Sequence, residues 1–159
     1  MSSSTLVAEP GTQEIVMTRV FDAPRDLVFR TMLDPQLIPK WWGPRRLATV
    51  VETMDVRPGG KWRYLQKDEA GNEFAFNGEY REVSPPDRVV STFEFEGVPG
   101  HIAVDNVTLE EHDGQTTLTI RTVFASVEDR DGMLNSGMEG GATESHDRLA
   151  ELLAEISGK

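Results

Sequence analysis

Apolar and polar residues alternate with a period of two over much of the chain, which is the pattern of strands with one buried face. Runs of this kind cover residues 14–21, 50–56, 61–66, 73–83, 89–96, 102–111 and 115–125. Turn-forming residues separate the last six, for example at Pro58-Gly59-Gly60 and Asp113-Gly114. The pattern therefore predicts seven strands, of which the last six form a meander of antiparallel hairpins.

Three segments have helical spacing instead. Between residues 24 and 34 apolar side chains recur at one-turn intervals, at Val28, Phe29, Met32 and Leu33. A second, short helix is predicted at residues 36–41. After Val127 an apolar stripe predicts a long amphipathic helix that ends at Ser157-Gly158, and its members are Met138, Ala142, His146, Leu149, Leu152, Leu153 and Ile156.

The alternation also indicates which face of the sheet is buried. Aromatic residues share one side of the strands and charged residues occupy the other; the aromatic side carries Trp62, Tyr64, Phe74, Phe76, Tyr80, Phe93 and Phe95. An apolar sheet face must be covered, and the C-terminal helix is the long element available for this. The predicted fold is α+β, a curved antiparallel sheet wrapped around a long C-terminal helix in the order β-α-α-β(six)-α.

The N-terminal residues 1–12 are small, polar and interrupted by Pro10-Gly11, so we predict a flexible tail there. The remaining residues, 13–159, suit a single domain with one core. The chain contains no cysteine, which excludes disulfides and thiolate metal sites.

Charge and hydropathy limit the classes of partner. The chain has 16 basic and 27 acidic residues, a net charge of −11, so phosphate backbones are repelled and nucleic-acid binding is not expected. The apolar runs are all far shorter than the roughly 20 residues of a membrane span, and the N-terminus lacks a signal-peptide pattern. The expectation is a monomeric, cytoplasmic protein.

Two of the three tryptophans are adjacent, in the segment Pro39-Lys40-Trp41-Trp42-Gly43-Pro44. Successive residues of a strand or a helix point in different directions, so Trp41 and Trp42 cannot both face a one-sided core. The pair is expected at the edge of a core or at the mouth of a cavity. The alternative is that the indoles are plugs that seal helix to sheet.

Four segments follow one another in a recognisable order: FDAPRDLVFRTMLDPQLIPKWWGP, DVRPGGKWRY, FNGEYREVSPPDRVV and GMEGGATESHDRLAELL. They resemble the START-like (SRPBCC) helix-grip domains related to the activator of the heat-shock-protein-90 ATPase. The resemblance implies a helix-grip (START/Bet v-like) fold and, as in many such domains, an apolar cavity between sheet and helix. It also implies that Trp41 and Trp42 lie at the open end of the grip.

Given that cavity, the aromatic face and the tryptophan pair are candidate contacts for a small hydrophobic or amphipathic molecule such as a lipid. Met133 and Met138 join them, because flexible methionine side chains suit an adaptable wall. No cofactor is expected.

Two carboxylates fall on apparent inner faces by strand parity, Glu52 and Asp105. An acid in an apolar cavity has a raised pKa and can orient a polar ligand or exchange protons. The alternatives are a bulge that turns the side chain outward, or an ion pair with Arg19 or Arg63.

The three histidines, His101, His112 and His146, have no spacing that suggests a metal site. Three functions therefore remain: a binding module for a small hydrophobic molecule, a co-chaperone-like interaction domain with a chaperone as partner, and a cavity enzyme of the aromatase or cyclase kind. The first is the preferred hypothesis.

Overall fold

The structure of the protein, a computed structural model, describes residues 4–158. The strands within these residues are β1 (Thr5–Val7), β2 (Glu14–Phe21), β3 (Ala48–Met54), β4 (Lys61–Lys67), β5 (Glu73–Ser84), β6 (Arg88–Phe95), β7 (Ala103–His112) and β8 (Gln115–Val123). The helices are α1 (Arg25–Met32), α2 (Ile38–Trp41), α3 (Val127–Asn135) and α4 (Met138–Ser157).

The strands form one antiparallel sheet in the order β1-β2-β8-β7-β6-β5-β4-β3. Strands β3 to β8 are the predicted meander, and β2 pairs with β8 so that Glu14 lies opposite Val123 and Phe21 opposite Thr116. The curved sheet and the C-terminal helix that packs on it confirm the predicted α+β helix-grip class. The sheet face toward α4 is called the inner face below.

The N-terminal segment differs from its prediction. Residues 5–7, which we assigned to a flexible tail, form β1 and pair with residues 16–18 of β2. The physical reason is Leu6, which is half-buried against the apolar cluster that contains Ile15 and Met17. A strand of three residues with one half-buried side chain is too short for alternation to predict. Residues 1–3 of the predicted tail lie outside the described residues.

The helical region after Val127 also differs, because it contains two helices rather than one. Helix α3 ends at Asn135, and Gly137, at the start of α4, has a φ of +84°. Glycine adopts this left-handed conformation without the steric cost that other residues meet. The long helix that covers the sheet is therefore α4 alone.

Helix α4 covers the inner face with Leu149, Leu152 and Leu153, all buried in the main core cluster. Ile156, predicted to extend the same stripe, is instead 45% exposed. It lies in the last turn of α4, two residues before the C-cap residue Gly158. The contacts of α4 with the core are therefore concentrated in the turns before Ile156.

A polar cluster joins the N-terminal strands to α4. Arg19 of β2 donates from Nη1 to Oδ1 of Asp147 at 2.7 Å, and Oγ of Ser4 lies 2.9 Å from Nδ1 of His146. His146 is only 5% exposed and meets the ring of Phe21 edge-on. Burial, assisted by the positive charge of Arg19, lowers the pKa of His146 to about 4, although Asp147 acts in the opposite direction.

This buried histidine is expected to make the fold acid-sensitive. The unfolded chain takes up a proton at an ordinary histidine pKa of about 6.5, whereas folded His146 does so only near 4. The contribution of His146 to stability is therefore present above about pH 6.5 and falls as the pH drops toward 4, by about 3 kcal/mol. Urea unfolding of wild type and His146→Gln between pH 7 and 4 measures the effect, and the variant should lose this part of the slope.

His112→Gln is the matched control, because His112 is exposed at the end of β7. Its stability should follow the wild-type pH dependence. Parallel curves for wild type and His146→Gln would show that another group governs acid sensitivity.

Candidate functional site

The segment of residues 39–44, called the strap below, comprises the last three residues of α2 and the three that follow, and hydrogen bonds to its backbone bind it to α4. Ser145 donates from Oγ to the carbonyl oxygen of Trp41 at 3.0 Å and accepts from the backbone nitrogen of Gly43 at 3.1 Å. Arg148 donates from Nη1 to the carbonyl oxygen of Gly43 at 2.8 Å. The strap is therefore fixed to two turns of α4.

The other side of the strap is bound to the sheet. Thr49 of β3 donates from Oγ1 to the carbonyl oxygen of Trp42 at 3.0 Å and accepts from Nε2 of Gln66 at 3.2 Å. Gly43 has a φ of +85°, and a Cβ there would lie 2.0 Å from Nε2 of Gln66. Glycine at this position provides both the left-handed turn and the close approach to β4.

Fixing the backbone in this way sends the two neighbouring indoles to different environments. Trp41 is 6% exposed and lies within the main core cluster. Trp42 is half-buried and meets Trp62, Tyr64 and Phe76 edge-on, with ring centroids 6.5, 5.0 and 5.2 Å apart. The adjacent tryptophans thus have different roles in packing, one as part of the core and one at its edge.

Trp42 of the strap packs with five rings from the inner face of β4, β5 and β6. This aromatic cluster consists of Trp42, Trp62, Tyr64, Phe76, Phe93 and Phe95. Phe76 lies 5.7 Å from Phe93 and 5.2 Å from Phe95 between ring centroids. Phe74 lies outside the group. It is half-buried, two residues before Phe76 on β5, and stands opposite Gln66 of β4.

Two tyrosines are buried here, Tyr64 within the aromatic cluster and Tyr80 beside Tyr64. Burial raises the pKa of Tyr80 to about 12, and burial together with the neighbouring Tyr80 raises the pKa of Tyr64 far above its ordinary value. Both phenols are therefore neutral near pH 7. They can take part in hydrogen bonds, but they are not available as bases at that pH.

Asp105 lies on the inner face as parity predicted, in a row of polar residues. Ser91 of β6 and Thr122 of β8 stand opposite Asp105 of β7 on its two sides. Thr122 donates from Oγ1 to Oδ1 of Asp105 at 2.7 Å. Burial raises the pKa of Asp105, and the hydrogen bond from Thr122 opposes that rise.

The middle of the inner face is not fully covered. Phe93, Val107 and Ile120 pack on the main core yet remain half-buried, although their strands have neighbours on both sides. The first turns of α4 carry small residues, from Gly140 to Ala142, and Ala142 is itself half-buried. From this partial exposure we infer a space between these turns and the central strands, and we call it the hollow.

Glu52 does not lie on the inner face, so that prediction was wrong. The pairing of β3 with β4 shifts by one residue between Val51 and Thr53, a bulge that reverses the alternation along β3. Glu52 is exposed and accepts a hydrogen bond at 2.6 Å from Nη1 of Arg63. Both alternatives to a cavity acid, the outward bulge and the ion pair, are present at this residue.

The two methionines lie apart from the aromatic cluster. Met133 and Met138 are half-buried against a smaller apolar cluster that contains Ile15, Ala103 and Phe124. The predicted contact residues are thus divided between two ends of the inner face, with the row of Ser91, Asp105 and Thr122 between them. Sequence reasoning missed Ser91 and Thr122; parity puts them on the inner face, two residues from Phe93 and Ile120, but only the register places them opposite Asp105.

Two depressions lie elsewhere on the described surface. One, of about 420 Å³, is lined on the outer face by Arg63, Asn77 and Glu96 among others, and one of about 300 Å³ lies at Arg46 and residues 68–70. Arg63, with help from Asn77, lowers the pKa of Glu96 to about 2. Because these charged groups already pair with one another, we do not assign a ligand to the outer face.

Within residues 4–158, acidic and histidine side chains do not gather in a group of three or more that would suit a metal ion. None of the helices in that part of the chain has both the length and the apolar character needed to cross a membrane.

Comparison with known proteins adds a family model and several solved structures. Residues 22–154 match the model described as Activator of Hsp90 ATPase homolog 1-like protein. A crystal structure from Mycobacterium smegmatis has 26% identity and a TM-score of 0.86, covering 96% of this chain and 97% of its own. A solution structure from Arthrobacter aurescens has 25% identity and a TM-score of 0.88, covering 95% and 91%.

A crystal structure from Chromobacterium violaceum has 28% identity and a TM-score of 0.79, and the match covers 89% of this chain and 96% of that one. No curated protein matches the sequence. The structural relatives therefore support the fold, and the function must be argued from the site.

Proposed function

The chain belongs to the Activator of Hsp90 ATPase homolog 1-like family, and from that premise we propose that it binds a small apolar or amphipathic molecule in the hollow. The sheet supplies the inner wall of this site, and the first turns of α4 supply the outer wall.

The observation that carries the proposal is the half-buried state of Phe93, Val107 and Ile120. In a filled core, side chains of helix and sheet interdigitate at high density and leave few voids. Strands β6, β7 and β8 each have a neighbouring strand on both sides. Solvent cannot reach their inner side chains from a sheet edge, so it must enter between the sheet and α4. Gly141 and Ala142, which are small and half-buried, leave room there.

The composition of the wall favours a ligand with an apolar frame. Trp42 presents its half-buried indole beside Trp62 and Phe76, whose rings are held by edge-on contacts. Ligand sites are typically apolar and aromatic with a few polar groups, and rigid rings lose little conformational entropy on binding. Aromatic or polycyclic molecules fit this description.

Tryptophan fluorescence tests the proposal directly. We expect titration of the protein with fatty acids, flavonoids and polyketide-like aromatics to give a saturable emission change with at least one class. Replacing Trp42 with Phe should remove much of that change, since the half-buried indole loses water contact when the hollow fills. Trp62→Phe should also reduce it, because Trp62 contacts Trp42 and Phe93.

Trp41→Phe is the matched control, one residue away but already excluded from water. It should retain the full response, and the Trp→Phe change preserves most of the apolar volume. A panel that leaves all three indoles unperturbed would contradict ligand binding.

Two other functions have specific support. The family description favours a co-chaperone-like role, which a chaperone ATPase assay with and without the protein would detect. Asp105 on an apolar inner face favours a cavity enzyme, because a carboxyl group with a raised pKa can exchange protons. Ligand binding accounts for the half-buried inner face as well, and for that reason we place it first.

A further inference from the structure

We propose that Ser91, Asp105 and Thr122 form a polar seat in the hollow, where Asp105 accepts a hydrogen bond from a hydroxyl or amine of the bound molecule. The seat would select hydroxylated or cationic amphipathic molecules over carboxylates such as fatty acids. This inference rests on the proposed function and specifies the class of ligand.

The register of the sheet brings the three side chains together. They occupy directly opposed positions on β6, β7 and β8, and such neighbours have Cβ atoms about 5 Å apart. Along β7, Asp105 lies between Ala103, which belongs to the smaller apolar cluster, and Val107, which packs on the main core. The seat is thus a polar group surrounded by apolar wall, the arrangement that orients an amphipathic ligand.

The chemistry of the seat determines which head group it accepts. Thr122 occupies one position on Oδ1 of Asp105, whereas an ionised carboxylate offers about four lone-pair sites. The remaining sites suit a donor from the ligand, and the hydroxyl of Ser91 can assist as donor or acceptor. A ligand carboxylate would bring a like charge beside Asp105 in surroundings of low dielectric constant, which is unfavourable.

Asp105 is also an unfavourable residue for structural purposes alone. An acid on an apolar face loses hydration, and burial is the main cause of its raised pKa. If Asp105 served only folding, its replacement would lower the stability of the protein. If it is a poorly solvated acid kept for binding, its neutralisation should leave the stability unchanged or raise it. Asp105→Asn therefore separates a binding role from a structural one.

The test uses the chain of 159 residues and a neutral fluorescent probe, N-phenyl-1-naphthylamine, which reports occupation of the hollow. Three competitors share one frame and differ in head group: 1-naphthalenemethanol, 1-naphthalenemethylamine and 1-naphthoate. In wild type we expect the alcohol or the amine to displace the probe at least about tenfold more tightly than the carboxylate, as a hydrogen bond to a charged or polar partner allows. Comparison of the alcohol with the amine shows whether the seat prefers a neutral donor or a cationic one.

Asp105→Asn should remain folded and lose the preference, because an amide both donates and accepts. Glu110→Gln removes one charge from the same strand at an exposed position and should keep the preference. Equal affinity of the three competitors in wild type, or a preference that survives in Asp105→Asn, would overturn the polar seat while leaving ligand binding intact. Failure of the probe and of all competitors to bind would overturn both.

Discussion

Replacing Leu149 with alanine is expected to lower the free energy of unfolding by about 2 to 5 kcal/mol. Leu149 is 0% exposed and lies where α4 meets the sheet in the main core cluster. The loss combines the transfer free energy of the removed atoms with the cavity left behind. Because a domain has only about 5 to 15 kcal/mol of stability in total, the variant should melt far below wild type in a urea or thermal unfolding experiment.

Ile156→Ala on the same helix is the matched control, and we expect it to cost less than about 1 kcal/mol because Ile156 is largely exposed. Truncation after Ala142 extends the test, since it removes Leu149, Leu152 and Leu153 together with the strap contacts of Ser145 and Arg148. Cooperative unfolding should then disappear. Similar midpoints for Leu149→Ala and Ile156→Ala, or an unchanged transition after truncation, would refute the role of α4 in the core.

The second large effect is expected at Gly78 of β5. A Cβ at this position would lie 1.9 Å from the carbonyl oxygen of Thr92 and 2.4 Å from Nε1 of Trp62. Neither can move cheaply, because one is backbone and the other belongs to a buried indole within the aromatic cluster. We expect Gly78→Ala to destabilise the protein by about 3 kcal/mol and to shift the tryptophan emission.

Gly140→Ala gives the opposite expectation from the same chemical change. A Cβ at Gly140 meets nothing within 4 Å, and the residue is exposed near the start of α4. Alanine is the better helix former, so stability should rise by about 0.5 to 1 kcal/mol. Comparison of the two variants by chemical denaturation isolates the steric contribution at Gly78, and equal effects at both positions would contradict it.

Alternation in the sequence predicted the sheet well because most strands have one buried face. Strands β2 and β4 to β8 begin and end within two residues of their predicted limits. Parity placed Asp105 correctly because β7 pairs with both neighbours without a register shift. Parity failed for Glu52, because a single extra residue in β3 exchanges the two faces of the strand. In so short a strand the alternation of apolar and polar residues does not reveal such a bulge.

The candidate site was predictable only in part. Trp62, Tyr64 and Phe76 are recognisable as inner-face residues because large rings alternate with polar ones. The row formed by Ser91 and Thr122 with Asp105 depends on which residues stand opposite one another, and that register is determined by turn geometry and packing. The separation of Met133 and Met138 from the aromatic rings depends on the position of α4 across the sheet, which local sequence does not encode.

The position of β2 beside β8 has a consequence for synthesis of the chain. Strand β2 reaches its partner only after β8 has been made, so residues 22–114 must first be added. At about 5 to 20 residues per second this takes roughly 5 to 20 s. During that interval Ile15, Met17 and Phe21, all buried in the folded protein, have no sheet to cover them on the ribosome. The nascent chain should therefore be most prone to aggregation, and most dependent on ribosome-associated holding factors, until β8 emerges.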